Sequence, residues 1–280
     1  NGVIDLLVDD DVQAADTVRR YLSYFQGDWP TWTAPDDSGL RDAVPENRLR
    51  VYDTMAVVQQ VFDRGSVLPL RTGFGVGMHT ALARLEGKAV GVLANNPSHL
   101  GWAIDPDAAD KAAHFMRLCD VHGIPLISFV DTPGFMVGPD IETRAQVRHT
   151  ARMFLAGAHL RVPVLGVVLR KGYGLGAMGV VAGGFHAPQA LCAWPTGEFG
   201  GLGLEGAVRL GFKKELDAVA EGPERDALFE QLLQAYKAKG EALNMATTLE
   251  IDDVIDPAQT RHWLSQHLAR ARTEAEYKPY

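Results

Sequence analysis

Three short apolar segments, each followed by a glycine-rich turn, constrain the fold of this chain more than any other feature. They cover residues 125–130, 163–169 and 190–194, with the sequences PLISFV, PVLGVVL and ALCAW. Strands that are buried on both faces of a parallel sheet have this short, continuous apolar pattern. Helical patterns lie between the segments, so their order predicts an α/β fold with largely parallel strand pairing.

The segments around these runs predict further helices and strands. Apolar residues at three- and four-residue spacing predict a helix over residues 11–25. Proline, glycine and aspartate mark residues 27–49 as a long connector. The turn Glu86-Gly87 between two apolar segments predicts a β-hairpin. The other expected elements are helices over residues 54–62, 106–122 and 142–160, strands over 79–85 and 88–94, a glycine-rich helix start at Gly172, and helical segments over 216–243 interrupted at Gly222-Pro223.

The charge of the chain argues against two classes of partner. With 27 basic and 35 acidic residues, the formal net charge is −8 at pH 7. Such a charge gives no global attraction to nucleic acid or to an anionic membrane, and we expect neither as a partner. The longest apolar stretches, such as residues 162–169, are far shorter than the roughly 18 residues of a membrane span. Cys119 and Cys192 form no CxxC pair and are expected to be buried thiols of a reducing compartment, the cytoplasm.

The first residues, NGVIDLLVDDD, include no initiator methionine and no basic, apolar export signal. This opening is typical of a passage from the middle of a longer chain. We therefore expect a processed chain or the C-terminal part of a larger protein.

The segment LRKGYGLGAMGVVAGGF at residues 169–185 is the strongest candidate for a site, because six glycines follow a buried strand. A helix that begins here would present backbone N–H groups with partial positive charge, which suit an anion or an oxyanion. Gly174, Gly176 and Gly179 also match G-x-G-x-x-G, but the surrounding pattern fits a dinucleotide site poorly. Alternatively, these glycines only allow a helix to pack closely on the sheet.

Two further glycine-rich turns follow strand ends. They cover residues 129–142, FVDTPGFMVGPDIE, and 193–208, AWPTGEFGGLGLEGAV. Because ligands of open α/β sheets bind at the carboxyl ends of strands, three such turns imply one shared rim. Trp194 and Phe199 in the third turn are expected to be packing residues.

Side chains that usually carry catalysis form no clear constellation. The turn at residues 169–185 has no serine nucleophile. Arg170 and Lys171 could pair with a phosphate or a carboxylate, but charged residues after a strand end are expected to be simply solvated. The histidines form no HxH or HExxH spacing, so we expect no metal site. They are placed on loops and polar helix faces, and include His79, His99, His114, His149 and His186.

Four motifs occur in order between Val130 and Arg261: VDTPGFMVGPDIE, RKGYGLGAMG, AWPTGEFGGLGLEGAV and EIDDVIDPAQTR. Together they resemble the carboxyltransferase component of biotin-dependent acyl-CoA carboxylases, the propionyl-, methylcrotonyl- and long-chain acyl-CoA carboxylase group. Weaker similarity in ENRLRVYDTMAVVQQVFD and GVLANNPSHLGWAIDPDAADKAAHFMRLCD extends the resemblance back to Glu46.

The resemblance implies a crotonase-like (ClpP/crotonase) spiral of βα units, which a full carboxyltransferase uses twice. Its N-terminal half binds acyl-CoA and its C-terminal half binds carboxybiotin, and this chain is similar to the C-terminal half only. We therefore expect residues 1–45 to be an entry helix and connector from a preceding acyl-CoA-binding half. Residues 46–280 are expected to be the carboxybiotin-binding carboxyltransferase domain.

The sequence contains no glycine-rich ATP-grasp loop and no Ala-Met-Lys-Met biotinylation sequence. The resemblance thus implies that biotin arrives as carboxybiotin on a separate carrier domain, loaded by a biotin carboxylase domain. It also implies an acyl-CoA substrate, an acyl-CoA-binding half as a partner, a role in fatty acid metabolism and a hexamer of full subunits.

In this family, carboxybiotin releases CO₂ beside the α-carbon of the acyl-CoA, and backbone N–H groups stabilise the charge on the biotin ureido oxygen. The biotin anion can take the α-proton, so no side-chain base is required. Alignment backward from Trp194 places the two donors on Gly176 and Ala177. Counting from Arg170 places them on Leu175 and Gly176, because this turn is one residue longer than in the propionyl type; the first pair is preferred. The other residues assigned to biotin or substrate binding are Tyr173, Gly174, Leu175, Gly179, Gly134, Phe135 and Gly138, together with Arg170 and Lys171.

Gly179 stands where the propionyl type has an acidic residue associated with acyl-chain choice. A small residue there leaves room, so a longer or branched acyl chain is expected. Two other functions stay open at this point. One is a biotin-dependent acyl-CoA decarboxylase subunit of similar fold, and the other is a non-catalytic scaffold half whose glycines serve packing alone.

Overall fold

A mixed β-sheet of eight strands organises the chain in the computed structural model, which describes residues 2–47 and 50–271. The strands are β1 (Leu68–Leu70), β2 (Met78–Leu85), β3 (Lys88–Asn95), β4 (Leu126–Thr132), β5 (Val164–Tyr173), β6 (Ala190–Ala193), β7 (Glu198–Gly200) and β8 (Asp253–Val254). The α-helices are α1 (Asp11–Ser23), α2 (Thr54–Val61), α3 (Pro106–Val121), α4 (Pro139–Glu142), α5 (Gln146–Ala158), α6 (Gly174–Val180), α7 (Leu204–Gly211), α8 (Lys213–Asp217), α9 (Pro223–Lys239), α10 (Ala242–Thr247) and α11 (Thr260–Arg270). Short 3₁₀ turns lie at Leu40–Asp42, Leu100–Trp102 and Pro257–Gln259.

The strands follow the order β1-β2-β3-β4-β5-β6-β8 in the sheet, and β7 pairs with the carboxyl end of β5. β1, β2 and β3 pair antiparallel, and the later pairs are parallel. The predicted hairpin is confirmed, with Glu86 and Gly87 at φ values of 52° and 82°, as a two-residue type I′ turn requires. The prediction of an α/β fold with largely parallel pairing is likewise confirmed.

Helices cover both faces of the sheet. The central strands are therefore buried on both faces. On β4, Phe129 packs in one apolar cluster with Trp194 and Trp263, while its neighbour Val130 packs in the other with Met116. All seven residues of β4 and all ten of β5 are buried. Alternate side chains of one strand therefore stabilise two cores, which fix the position of the strand's carboxyl end.

The start and end of α3 follow the signals in the sequence. The side chain of Asp105 accepts a hydrogen bond from the N–H of Ala108 at 2.9 Å, and Pro106 occupies the first helical position. The helix ends at Val121, two residues before Gly123, which has a φ of 67°. Local signals alone were sufficient to predict this helix.

Other helix boundaries differ from the prediction. The helix expected over residues 142–160 begins only at Gln146, because Ala145 adopts a left-handed conformation with φ at 56°; the short helix α4 ends at Glu142, before this break. The break predicted at Gly222-Pro223 is confirmed by the start of α9 at Pro223. The helical segment over 216–243 also breaks again at Gly240, before α10.

The helices α7 and α9 build a small apolar cluster of their own beside the carboxyl end of β5. Leu204 and Val208 of α7 and Leu233 of α9 pack around Tyr173, the last residue of β5. Phe229 and Tyr236 of α9 extend the cluster. This third cluster, separate from the two main cores, stabilises the place where the candidate turn begins.

Within residues 2–47 and 50–271, no helix is both long and apolar enough to cross a membrane. Both cysteines are buried, as predicted. Burial raises the pKa of the Cys119 thiol, so this side chain behaves as part of the apolar core.

Candidate functional site

Three turns at the carboxyl ends of parallel strands meet in one place, here called the rim: residues 129–142, 169–185 and 193–208. A Cβ atom built on Gly176 would lie 2.6 Å from both the carbonyl carbon and the Cα of Gly134. One built on Gly174 would lie 2.7 Å from the carbonyl oxygen of Gly201. Glycine lets backbones approach this closely because it has no Cβ. The predicted shared rim is therefore confirmed.

The turn that the sequence singled out lies between β5 and α6. The strand continues to Tyr173, beyond its predicted end at Leu169, and the helix begins at Gly174 and not at Gly172. The prediction placed the strand end too early because the charged residues looked like the start of a loop. Gly174 has a φ of 57°, a left-handed conformation that lets the chain leave the strand directly into the helix.

The first turn of α6 presents backbone N–H groups that the helix cannot use. Those of Leu175 and Gly176 lie in the first turn, where the helix supplies no i−4 carbonyl to accept from them. The N–H of Ala177 is the first that can donate to a carbonyl of the preceding turn, that of Tyr173. No side chain caps the helix start. The turn therefore offers adjacent amide donors to a ligand, at the positive end of a helix.

The turn that faces α6 is held by hydrogen bonds at Gly134 and Met136. The N–H of Gly134 donates to Oγ1 of Thr132 at 3.1 Å, and its carbonyl accepts from the N–H of Ile104 at 3.0 Å. The N–H of Met136 donates to the carbonyl of Ile104 at 2.9 Å. Gly134 and Gly138 have φ values of 125° and 127°, which few other residues adopt. This side of the rim is a fixed wall with its hydrogen bonds already made.

A buried ion pair lies beneath the rim. The side chains of Arg170 and Asp131 are 2% and 0% exposed, and Nη2 and Nε of Arg170 lie 3.1 and 3.2 Å from Oδ2 of Asp131. Tyr52 Oη donates to the same oxygen at 2.8 Å, and the N–H of Lys171 donates to Oδ1 at 3.0 Å. The expectation that Arg170 and Lys171 are solvated is wrong. Both are buried because β5 extends past them; Asp131 on β4 supplies the counter-charge to Arg170, and the ammonium of Lys171 lies against the ring of Trp102.

The comparison with known families decides what kind of domain carries this rim. The family model of the carboxyl transferase domain matches residues 1–280. The chain belongs to the carboxyl transferase domain family. The methylmalonyl-CoA carboxyltransferase 12S subunit of Propionibacterium freudenreichii subsp. shermanii is 34% identical over 100% of this chain and 54% of that protein. The chain spans about half the length of the curated relatives that it matches first.

Two solved structures share the fold of this carboxyl transferase domain. One is described as a single-chain, multi-domain long-chain acyl-CoA carboxylase, with a TM-score of 0.87 and 52% identity over 95% of this chain and 26% of that one. The other is the transcarboxylase 12S hexamer with methylmalonyl-CoA and methylmalonic acid bound, with a TM-score of 0.88 and 33% identity over 100% of this chain and 55% of that one. The resemblance to biotin-dependent carboxyltransferases and the crotonase-like fold are thereby confirmed.

Sequence reasoning missed several residues that support the rim of this carboxyl transferase domain. Asp131 directly follows the apolar run of residues 125–130. A charged residue in that place was a signal that the sequence analysis did not use. Asn95 accepts the N–H of Asp131 at 3.0 Å through Oδ1, and the ring centroid of Trp102 lies 3.6 Å from Nζ of Lys171. These two residues and Tyr52 come from separate elements, so no spacing in the sequence connects them.

The space beside Gly179 is filled by the protein itself. A Cβ atom built there would lie 3.3 Å from Cζ of Phe135, 3.5 Å from Cε of Met153 and 3.6 Å from Cζ of Phe154. The small residue therefore makes room for Phe135 instead of leaving an open cavity. A side chain at position 179 would therefore press on the rings of Phe135 and Phe154 and on Met153.

The aromatic residues of the third turn are packing residues, as predicted. Trp194 is 1% exposed, and its Nε1–H donates to Oγ1 of Thr260 at 2.9 Å. Phe199 packs edge-to-face against Phe185, with 5.3 Å between the ring centroids. Both side chains hold the 193–208 turn in place.

One histidine departs from the expectation of loops and polar helix faces. His79 lies half-buried on β2. Burial, and then the nearby ammonium of Lys111, lower its pKa to about 4. Burial and the charge of Arg71 in turn lower the pKa of Lys111 to about 8. In the part of the chain that the structure describes, no group of three or more His, Cys, Asp or Glu side chains is arranged to hold a metal ion.

We expect His79 to make the domain less stable in mild acid. Its folded-state pKa of about 4 lies below the ordinary 6.5, so the unfolded chain binds the proton first and stability falls as pH drops through this interval. The loss is about 2 kcal/mol by pH 5. Urea unfolding at pH 7.5, 6.0 and 5.0 measures it. His79→Gln should flatten the decline, whereas substitution of the exposed His262 should not; equal declines in all three proteins would contradict this prediction.

Proposed function

We propose that this chain is the carboxybiotin-binding half of a biotin-dependent acyl-CoA carboxyltransferase. The observation that carries the proposal is the match of the family over residues 1–280, together with a helix start at the rim of the sheet that no side chain caps. Because the chain spans about half of its relatives, the acyl-CoA-binding half belongs to a further segment or chain. Residues 1–45 would connect the two halves, and residues 46–280 would form the carboxybiotin-binding domain.

The amides of α6 are the groups that would stabilise the developing charge on biotin. Gly176 is common to both alignments of the donor pair. Helix geometry favours Leu175 over Ala177 as the second donor, because in a helix that begins at Gly174 the N–H of Ala177 can donate to the Tyr173 carbonyl, while that of Leu175 has no i−4 acceptor within the helix. Fixed donors aimed at a charge that forms only during the reaction lower its barrier without reorganisation.

The rim would hold the ring system of carboxybiotin between two turns. Gly134, Gly138 and Phe135 would form the wall opposite the donors, and Gly174 would allow close approach to the backbone. Arg170 and Lys171 are buried beneath the rim, so they would act by supporting the turn and not by contact with biotin. Bound carboxybiotin would supply the carboxyl group and the nitrogen that accepts the α-proton, so that the protein needs no side-chain base.

Other properties of the assembly are inferred from the relatives. Identity of 52% to a long-chain acyl-CoA carboxylase, against 33% to transcarboxylase 12S, supports a longer acyl chain as substrate. The hexamer named for transcarboxylase 12S supports a hexamer of full subunits. A biotin carrier and a biotin carboxylase domain would complete the system, in the cytoplasm and in fatty acid metabolism.

A labelled-bicarbonate assay tests the proposal. The protein is combined with its acyl-CoA half, a biotinylated carrier and biotin carboxylase, and acid-stable label is measured with acyl-CoA of two to sixteen carbons. We expect label that depends on acyl-CoA and is faster with long chains than with acetyl-CoA. If the carrier is verifiably carboxylated and no acyl-CoA takes up label, the chain is a scaffold half and the proposal is wrong. Equal rates with acetyl- and long-chain CoA would contradict the inference about chain length alone.

A further inference from the structure

We propose that Tyr173, Glu198 and Lys237 form a positioning chain that holds the amide donors of α6 at the angle required for transfer. The inference rests on the proposed function and deepens it. It assigns to the helices after β7 a role in the chemistry of the rim, although none of their residues lies in the amide turn itself. The three residues stand on β5, β7 and α9, so the chain links three separate parts of the fold.

The first contact joins the end of β5 to β7. Tyr173 is 1% exposed, and its Oη donates to Oε2 of Glu198 at 2.7 Å. Glu198 is itself 8% exposed. A hydrogen bond to a buried carboxylate is among the stronger ones in proteins, because the charge is poorly screened. Since the phenol is buried, Tyr173 serves the site from within the protein and not by contact with a ligand.

The second contact joins β7 to α9. Nζ of Lys237 lies 3.5 Å from Oε1 of Glu198, whereas Tyr173 donates to the other carboxylate oxygen, Oε2. The backbone repeats this connection, since the N–H of Phe199 donates to the carbonyl of Gly240 at 2.7 Å. The ring of Tyr173 meanwhile packs against Leu233 in the small cluster of α7 and α9. The docking of α9 therefore reaches the end of β5 by a polar and an apolar route.

The helix that carries the donors needs outside support. α6 has only seven residues, of which three are glycine, and no side chain caps its start. Glycine weakens a helix relative to alanine, so the intrinsic stability of α6 is low. Tyr173 immediately precedes it, and the Tyr173 carbonyl is the first acceptor of the helix. A shift of this one residue would turn the N–H groups of Leu175 and Gly176 away from their target.

The test compares two tyrosine-to-phenylalanine substitutions in the protein assembled with its acyl-CoA half. Tyr173→Phe removes the donor to Glu198. Tyr236→Phe removes a hydroxyl from the same apolar cluster and is the matched control. The readout is transfer from a carboxylated acyl-CoA to free biotin, with kcat and the KM for acyl-CoA determined separately. We expect Tyr173→Phe to lower kcat about tenfold and to leave the KM for acyl-CoA unchanged. Tyr236→Phe should keep both constants.

A double substitution separates positioning from general destabilisation. If Tyr173 acts through Glu198, the pair Tyr173→Phe and Glu198→Leu should lose no more activity than Glu198→Leu alone. If the loss of activity in the double variant equals the product of the losses in the two single variants, the proposal is overturned. Equal kcat values for Tyr173→Phe and Tyr236→Phe would also overturn it. The proposal would also be overturned if both tyrosine variants lowered kcat and both lowered the melting temperature to the same extent, because the loss of activity would then reflect general destabilisation. If the unsubstituted protein shows no transfer to biotin at all, the proposed function itself is wrong. That outcome differs from the others because it does not depend on any substitution.

Discussion

Replacing Asp131 with alanine is expected to lower the free energy of unfolding by about 3–5 kcal/mol. The substitution leaves the guanidinium of Arg170 buried at 2% exposure without its carboxylate, and it removes the acceptor of the Tyr52 hydroxyl and the Lys171 amide. Desolvation makes an unpaired buried charge costly, so the cost far exceeds that of a lost surface contact. Urea unfolding at pH 7.5 measures the difference.

Asp120 provides the matched control for this prediction. Its carboxylate also accepts from an arginine and from a backbone N–H, both of Arg161, with Nη2 at 3.0 Å and the amide at 2.7 Å. The side chain of Arg161 is 62% exposed, however, so water replaces the lost partner. Asp120→Ala should therefore cost about 1 kcal/mol or less. If the two substitutions destabilise the protein equally, burial is not what makes the Asp131 contacts important.

The pair of Asp131 and Arg170 also marks where sequence reasoning stops. The strands β2, β3 and β4 and the helix α3 could be predicted because their signals are local: alternating or continuous apolar runs, a two-residue turn and a capped start at Pro106. The end of β5 could not. A basic residue looks like the start of a loop unless its partner is known, and that partner lies on the neighbouring strand. Tertiary pairing of this kind overrides local preference.

The candidate site divides in the same way. The three glycine-rich turns and their convergence could be predicted, because parallel strands bring their carboxyl ends to one edge. The reason for glycine at position 176 could not, since it depends on the distance to Gly134 in another turn. Sequence alone left two uses of that glycine open, as an amide donor and as a packing residue. The structure shows the close packing, and it also places the N–H of Gly176 in the first turn of α6, where the helix supplies no acceptor.

Gly176→Ala is expected to lower carboxyl transfer by a factor of about 100 to 1,000, the loss that follows removal of one oxyanion donor. The new Cβ would lie 2.6 Å from the backbone of Gly134, and neither turn has a flexible side chain there that could move aside. The start of α6 must therefore shift, which takes the amide away from the reacting oxygen. Because a 1 Å displacement of a positioned group can cost a factor of about 100, the effect on rate should exceed the effect on stability. The measurement is transfer from a carboxylated acyl-CoA to free biotin in the assembled protein.

Gly184→Ala is the matched control, because Gly184 lies in the same glycine-rich segment with no atom within 4 Å of an added Cβ and no positive φ. It should keep transfer within about twofold and leave the melting temperature unchanged, since a surface substitution of this kind has little effect. Circular dichroism and native mass must show that Gly176→Ala remains folded and assembled before its rate is interpreted. A folded Gly176→Ala protein that transfers carboxyl groups at the rate of the Gly184→Ala control would show that the donors lie elsewhere. Loss of transfer in the folded protein would instead place the chemistry at the turn where α6 begins and packs closely on Gly134.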